Sequence, residues 1–401
     1  MKIAILNVKY SPNLGDGAIA ECLENELAKN LPDAQIFSLD IGGLDDYGSS
    51  GSILGSKLNL TRRISFLPKS LQKTIKQNLM PIAVNLKYKK AWQQKLSNSN
   101  ALIVGGGQLF MDIDNHFPIR ITTAINTTPK TTPVFVYAVG VSEAWTNRAI
   151  NMYKRIFKQN KLKRSFVRDK DSQENWLNHF GTPRPDFVRD PALLSESYYG
   201  FIDKTPRKSK RKLIALGVSD PSDMVLSTGK ESDIVCGDIS FYMNIIEVLY
   251  NRGFDISLFT NGLDIEYMSK VEKNIKTLDI KVQNRVKILP RAERPKDLVK
   301  QIASADALIA HRLHANIIAY SYCIPHVGLV WDKKLIGFFK SVDRLEYLVT
   351  NNIKPAEVVA LLEKTLLEGV DKQMHKKVIN EAKNNIKTLS ISILESQSRS
   401  T

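Results

Sequence analysis

The chain has 401 residues, 43% of them apolar and 24% charged, with a formal net charge of +16. That length exceeds what one hydrophobic core organises, so two domains of roughly 180–200 residues are expected, and no stretch approaches the ~20 apolar residues of a membrane span. The three cysteines, Cys22, Cys236 and Cys323, lack the paired spacing of zinc ligands and cannot form a framework of bridges.

Lys2–Val8 reads as a strand with no signal-peptide pattern around it, so a cytoplasmic protein is expected. A glycine-containing loop follows, and Ala18–Asn30 carries helical periodicity at Ile19, Cys22, Leu23 and Leu27. Gln35–Leu39 reads as a second strand. Ala101–Val104 and Val134–Val139 are short buried strands that run into Gly105–Gly107 and Gly140. Phe166–Arg168 is another, followed by a helix over Ser172–Phe180 that stops at Gly181. Continuous apolar strands separated by helices indicate a parallel sheet covered on both faces.

The charged run at residues 204–212 reads as a linker between an N-terminal domain (1–203) and a second domain (213–374). Alternation restarts with strand Leu213–Val218, helix Phe241–Arg252 and strands Asp255–Thr260 and Arg285–Leu289. Helix Lys296–Ala303, strand Ala307–Ala310, helix Ala315–Cys323 and strand Val327–Val330 come next. Helices at Lys334–Lys340 and Pro355–Glu368 precede a basic helix within 375–401, with a frayed tail from Glu395. The fold class is α/β, two Rossmann-like doubly wound domains facing a cleft, with the site where strand ends meet.

Charge is uneven along the chain. No acidic residue lies between Asp46 and Asp112, where ten basic ones occur: Lys57, Arg62, Arg63, Lys69, Lys73, Lys76, Lys87, Lys89, Lys90 and Lys95. Apolar residues interleave them. Such a segment suits an anionic membrane surface or a phosphate-bearing substrate, and equally a solvated helical face. No nucleic-acid motif accompanies it, so nucleic acid is not an expected partner.

Five short stretches carry candidate chemistry. Asn13-Leu-Gly15-Asp16-Gly17 joins the first strand to the first helix, where glycine lets the backbone approach an anion or sugar hydroxyl and Asp16 is either a cap or a reacting group. Gly105, Gly106 and Gly107 end a strand and precede Asp112, Asp114 and His116. Phe166-Val-Arg168-Asp169, then Ser172, puts an arginine at a strand end, where it must pair with Asp169 or meet an anion. Asp306–Ala310 leads into His311-Arg312-Leu313-His314, whose guanidinium grips a carboxylate or phosphate and whose imidazoles exchange protons near neutrality. An extended backbone there would point Arg312 and His314 the same way. Finally, Pro325–Val330 ends in Trp331, Asp332, Lys333 and Lys334.

Taken together, these residues resemble the polysaccharide pyruvyl transferases. The family's Asn-x-Gly-Asp turn is matched by Asn13, Gly15 and Asp16, and its glycine triplet by Gly105–Gly107. Its Val-Arg-Asp segment and following serine are matched by Val167, Arg168, Asp169 and Ser172, and its Asp-Pro-Ala-Leu by Asp190–Leu193. Arg312 and His314 match its Arg-x-His; Asp332 and Lys334 match its Asp-x-Lys, with Trp331 where tyrosine is more usual. The resemblance implies the GT-B arrangement, phosphoenolpyruvate as co-substrate, no cofactor and no metal. It implies Arg168, Arg312 and Lys334 as donor-binding residues, with His314 and Asp16, facing from the other domain, as catalytic groups. Asn13, Gly15, Gly105, Gly106, Gly107, Asp112 and His116 then fall on the acceptor side. The acceptor would be a sugar on a lipid-linked oligosaccharide, with the enzyme peripheral at the inner membrane face. Two other readings stand beside it. A GT-B glycosyltransferase would use a nucleotide sugar, and a basic membrane- or polyanion-binding protein would not be catalytic.

Overall fold

The structure, a computed structural model, describes residues 1–48, 84–113, 115–159, 161–203, 209–222, 224, 237–262, 264–350 and 353–398. The chain forms two compact units. Unit 1 comprises Met1–Ser11, Ile19–Pro191 and Glu381–Thr401, and unit 2 comprises Pro12–Ala18 and Ala192–Asn380. The turn after the first strand therefore groups with unit 2, and the end of the last helix with unit 1.

Unit 1 is built on a six-stranded parallel sheet in the order β2-β1-β3-β4-β5-β6. Its strands are β1 (Lys2–Asn7), β2 (Gln35–Asp40), β3 (Ala101–Phe110), β4 (Val134–Val141), β5 (Leu162–Val167) and β6 (Asp186–Phe187). Every residue of β4 is buried, as a strand covered on both faces requires. The covering helices are α1 (Leu14–Asn30), α2 (Lys90–Leu96), α3 (His116–Thr127), α4 (Asn147–Lys158) and α5 (Lys170–Phe180). One core centres on Phe110, which stacks on Tyr153 and tilts against Trp176. Winding reverses between β1 and β3, the kind of switch point where doubly wound sheets place ligands.

A short helix, α6 (Ser195–Tyr199), leads into unit 2, whose parallel sheet has the order β12-β11-β10-β7-β8-β9. Its elements are β7 (Leu213–Gly217), α7 (Ile239–Asn251), β8 (Asp255–Phe259), α8 (Ile265–Ile275), α9 (Ile280–Gln283) and β9 (Val286–Ile288). Then come α10 (Pro295–Ala303), β10 (Ala307–Ala310), α11 (Leu313–Ser321), β11 (His326–Leu329), α12 (Lys333–Ser341), β12 (Leu348–Val349), α13 (Pro355–Glu368) and α14 (Lys372–Ser398). Here the reversal falls between β7 and β10.

Several boundaries move relative to the sequence reading. Helix α1 starts at Leu14 rather than Ala18. Strand β3 continues through Gly105–Gly107 to Phe110, because a Cβ at Gly105 would stand 2.6 Å from the Tyr137 carbonyl of β4, and glycine lets the two strands close up. From Glu395 to Ser398, the last described residue, the chain is helical and not frayed. Helix α14 continues to Ser398, anchored by buried Ile386, Leu389 and Ile393 and by a 2.9 Å hydrogen bond from the Gln397 amide to the Asn100 carbonyl.

Of the basic segment, Lys57, Arg62, Arg63, Lys69, Lys73 and Lys76 lie outside the described residues, as do Asp114, Cys236 and most of the 204–212 stretch. Lys87 and Lys89 sit on a π-helical turn, Asn85–Lys89, and Lys90 and Lys95 on α2. Lys95 pairs with Asp45 at 2.8 Å. No described helix is long and apolar enough to cross a membrane.

Candidate active site

In unit 2, β10 is four buried apolar residues, and its carboxyl end beside β7 hands over to His311 and Arg312. The Asn316 side-chain amide closes this turn by donating to the carbonyls of Ala310 and Arg312, at 3.1 and 3.0 Å. Arg312 is extended (φ −69°, ψ 126°) and caps α11, so Leu313 and His314 are already helical. Arg312 and His314 are thus set by a helix start rather than by strand alternation.

The Arg312 side chain is largely enclosed, 14% exposed. Its Nη2 donates to both oxygens of Asp264, at 2.8 and 2.9 Å. That carboxylate is wholly buried and also accepts the Asp220 backbone N–H at 2.9 Å. Asp264 occupies the left-handed region (φ 61°) at the cap of α8, which a non-glycine residue adopts at some cost. Arg312 Nε has no hydrogen-bond partner among the described residues. Above the guanidinium lies Trp331, its ring centre 5.6 Å from Cζ; the Lys334 ammonium stands 5.8 Å from the same ring. The indole is shared by two cations, each favoured by its electron-rich face. Asp332 caps α12 by accepting the Leu335 N–H at 3.1 Å, and its carboxylate lies 3.2 Å from Lys334.

The Asn13–Asp16 turn belongs to this same unit. The Leu14 N–H donates to the Asn261 carbonyl at 3.0 Å. A Cβ at Gly15 would fall 2.4 Å from His314 Nδ1, so only glycine lets the first turn of α1 lie against that imidazole. Gly262 (φ +99°) gives way in the same manner to the Pro12 carbonyl. Asp16 stands in that first turn and accepts from the Asn13 amide at 3.3 Å. His311 is fully buried with Gly237 alongside. Burial pushes the Tyr242 phenol well up, and burial with Asp220 and Asp238 pushes Tyr267 up to about 12, so both remain neutral hydroxyls. They tie the neighbouring loops: Tyr242 accepts the Ser219 N–H at 3.0 Å, and Tyr267 donates to the Gly237 carbonyl at 2.8 Å.

In unit 1, Arg168 follows β5 and its side chain is 5% exposed. Nη2 donates to Gln108 Oε1 at 2.9 Å, while Asp169 and Asp190 stand 3.7 and 3.6 Å from Nε and Nη1. A Cβ at Gly140 would lie 2.0 Å from Gln108 Oε1, so this glycine makes room for the pair. Asp169 caps α5 through the Ser172 N–H (2.6 Å), and Ser172 Oγ accepts the Val141 N–H (2.9 Å). Gly106 (φ +78°) yields space to Ile19 of α1. Asp112 accepts from the Asn115 N–H (2.9 Å) and from the Thr146 N–H and hydroxyl (2.9 and 2.6 Å), which fastens the loop that α3 opens with His116.

The structure thus brings Asn13, Gly15, Asp16, Arg312, His314 and Lys334 into one unit, and Arg168, Gly105–Gly107, Asp112 and His116 into the other. The sequence reading missed Asp264 and Gln108. Asp264 had a partial signal: an aspartate after Asn261-Gly262, ahead of Tyr267, Met268, Val271 and Ile275 at helical spacing, marks a helix start, though its side chain turns to Arg312 and does not cap α8. Gln108 had none.

Solved structures of similar fold include the UDP-GlcNAc 2-epimerase of Methanocaldococcus jannaschii, at TM-score 0.54 and 10% identity over 98% of this chain and 100% of that one. A putative UDP-N-acetylglucosamine 2-epimerase from Listeria monocytogenes gives 0.51 and 10% over 100% and 97%. The α,α-trehalose 6-phosphate synthase of Burkholderia multivorans gives 0.52 and 11% over 100% and 97%. At such identities the likeness speaks for the fold alone, two Rossmann-like sheets of the GT-B class. No curated protein sequence matches the chain. Residues 13–333 match the family described as polysaccharide pyruvyl transferase, a span that runs from the Asn13 turn to the start of α12. The chain, with its Arg312–His314 turn at a sheet switch point, therefore belongs to the polysaccharide pyruvyl transferase family.

Proposed function

We propose that this transferase acts on polysaccharide by moving the enolpyruvyl unit of phosphoenolpyruvate onto two hydroxyls of one sugar, closing a pyruvate ketal and releasing phosphate. The observation that carries the reading is Arg312: a guanidinium at the sheet's carboxyl end, held by Asp264 and covered by Trp331, with its side chain still 14% exposed. Such a fork suits a carboxylate or phosphate better than a flexible ammonium does. Lys334 and the amino end of α12 add positive potential beside it.

In this reading His314 protonates the methylene carbon of phosphoenolpyruvate, which leaves an electron-poor C2. A sugar hydroxyl attacks C2 and gives its proton to Asp16. A second hydroxyl of the same sugar then displaces phosphate. One hydroxyl proton replaces that taken from His314, the other leaves with phosphate, and no oxidant or reductant is needed. The acceptor is a sugar of a lipid-linked precursor, which fits an enzyme working beside a membrane.

The test incubates the enzyme with lipid-linked saccharides and either phosphoenolpyruvate or nucleotide sugars. Acceptor-dependent phosphate release from phosphoenolpyruvate is expected. Consumption of a nucleotide sugar with phosphoenolpyruvate untouched would transfer the chain to the glycosyltransferase reading that its fold also allows.

A further inference from the structure

Helices α3 and α4 of unit 1 enclose an open cleft of about 470 Å³. From α4 it is lined by Arg148, Asn151, Met152 and Arg155, whose i, i+3, i+4, i+7 spacing makes them one face of the helix. The adjoining face, Ala149, Tyr153 and Ile156, is buried in the core and Met152 packs against it, whereas Arg148, Asn151 and Arg155 are exposed. From α3 come Ile119, Thr122, Thr123 and Asn126. Neither helix contains an aspartate or glutamate. Arg148 and Arg155 form no ion pair among the described residues and stand two helical turns apart, roughly 10 Å along the axis.

We infer that this cleft binds glycan that already carries pyruvate ketals. The inference rests on the proposed reaction, since each transfer adds one carboxylate to a sugar that lacked it. The two arginines suit carboxylates on a glycan strand, the Asn126 and Asn151 amides suit ring hydroxyls, and Met152 offers an apolar surface to the ketal methyl group. A concave cleft that combines two amides and two threonines with the apolar surface of Ile119 and Met152 fits a saccharide, whose rings have polar edges and apolar faces. A membrane surface would instead call for apolar side chains that protrude. Holding modified repeats keeps the polymer on the enzyme, so partly pyruvylated chains are modified further in preference to fresh ones.

The experiment measures binding of the full chain to an oligosaccharide bearing 4,6-pyruvate ketals and to the same material after mild acid has removed them. Oligogalacturonate and phosphatidylglycerol vesicles serve as further probes. At moderate salt the ketal-bearing glycan should bind about tenfold more tightly than its stripped twin. The double variant Arg148→Gln, Arg155→Gln should lose that preference while its melting temperature holds. Its phosphate release on a short unmodified acceptor should stay within about twofold of wild type, as expected for surface substitutions. Equal binding of both glycans, or a preference that survives in the double variant, would overturn the proposal. So would equally tight binding of oligogalacturonate, or vesicle binding that the same substitutions abolish. A ketal preference in a protein that releases no phosphate from phosphoenolpyruvate would uphold the cleft and defeat only the reaction.

Discussion

Two arginines of this chain follow buried parallel strands and precede helices, yet their surroundings differ. Arg168, after β5, is hemmed in by Asp169, Asp190 and the Gln108 amide. Arg312, after β10, is held through one nitrogen by a single carboxylate, Asp264, at 2.8 and 2.9 Å and covered by Trp331, and both arginines keep buried nitrogens with no hydrogen-bond partner among the described residues. Two carboxylates around a buried guanidinium make a structural lock as much as an anion site. One carboxylate and an aromatic face orient the group without consuming it. Two histidines of unit 2, both buried, differ in where they stand. His326 is fully buried, its Nδ1 2.8 Å from the Ile324 carbonyl, and His314 lies against Gly15 at the sheet's carboxyl end.

The largest expected effect belongs to His314. His314→Ala should lower turnover by roughly 10²–10⁴-fold with donor affinity much less affected, whereas His311→Ala should cost far less turnover. Equal losses at the two positions would make the turn a folding element. Next comes the pair of arginines. Arg168→Met removes the cation beside Asp169 and Asp190 and the hydrogen bond to Gln108, and should destabilise unit 1 by about 1–3 kcal/mol in chemical denaturation. Arg312→Lys keeps a cation beside buried Asp264 but loses the fixed guanidinium geometry, so folding should fall by no more than about 1 kcal/mol while phosphoenolpyruvate binding weakens by about 1.5–3 kcal/mol in calorimetry. The contrast fails if Arg168→Met unfolds no more readily than Arg312→Lys.

His326 sharpens the comparison through pH. Burial, with Arg344 second, pushes its pKa down from 6.5 to about 3 in the fold. The unfolded chain therefore takes up the proton first, and this contribution to stability is complete above pH 6.5 and declines as pH falls toward 3. The slope is about 1.4 kcal/mol per pH unit, some 2 kcal/mol by pH 5. His326→Gln should flatten that slope in denaturation series at pH 7, 6 and 5, and an unchanged slope would remove His326 as its source. The smallest effect concerns Trp331. Trp331→Leu removes the ring shared by Arg312 and Lys334 and should raise KM for phosphoenolpyruvate by the equivalent of about 0.5–2 kcal/mol, with kcat little changed. Trp331→Phe should recover part of it. A loss confined to kcat would point away from donor positioning.

Much of this was legible before the fold was in hand. Strand β10 and helix α13 have the bounds that their patterns predict, because continuous apolar runs and a Pro-started amphipathic helix leave little choice. The His311–His314 turn was visible as three polar side chains, His311, Arg312 and His314, at a strand end. What the sequence did not disclose was how distant residues meet. Asp264 lies 48 residues from Arg312. Gln108 reaches Arg168 only because residue 140 lacks a side chain. The Asn13 turn, expected to face the second domain from the first, is counted within unit 2, since Gly15 and Gly262 admit contacts that any Cβ would block. Glycine in a sequence signals freedom, and the neighbour that uses it is known only from the packing.

The central claim is that Arg312 and His314 serve transfer from phosphoenolpyruvate to a sugar. The most direct measurement is an NMR time course in D₂O with phosphoenolpyruvate and a saccharide acceptor, run with wild type and His314→Ala. The account predicts orthophosphate and a sugar-bound ketal methyl group rising together, one for one, with a single deuterium in each methyl, and both nearly absent in the variant. Phosphate appearing with free pyruvate and no ketal, or ketal formed at wild-type rate without His314, would contradict it.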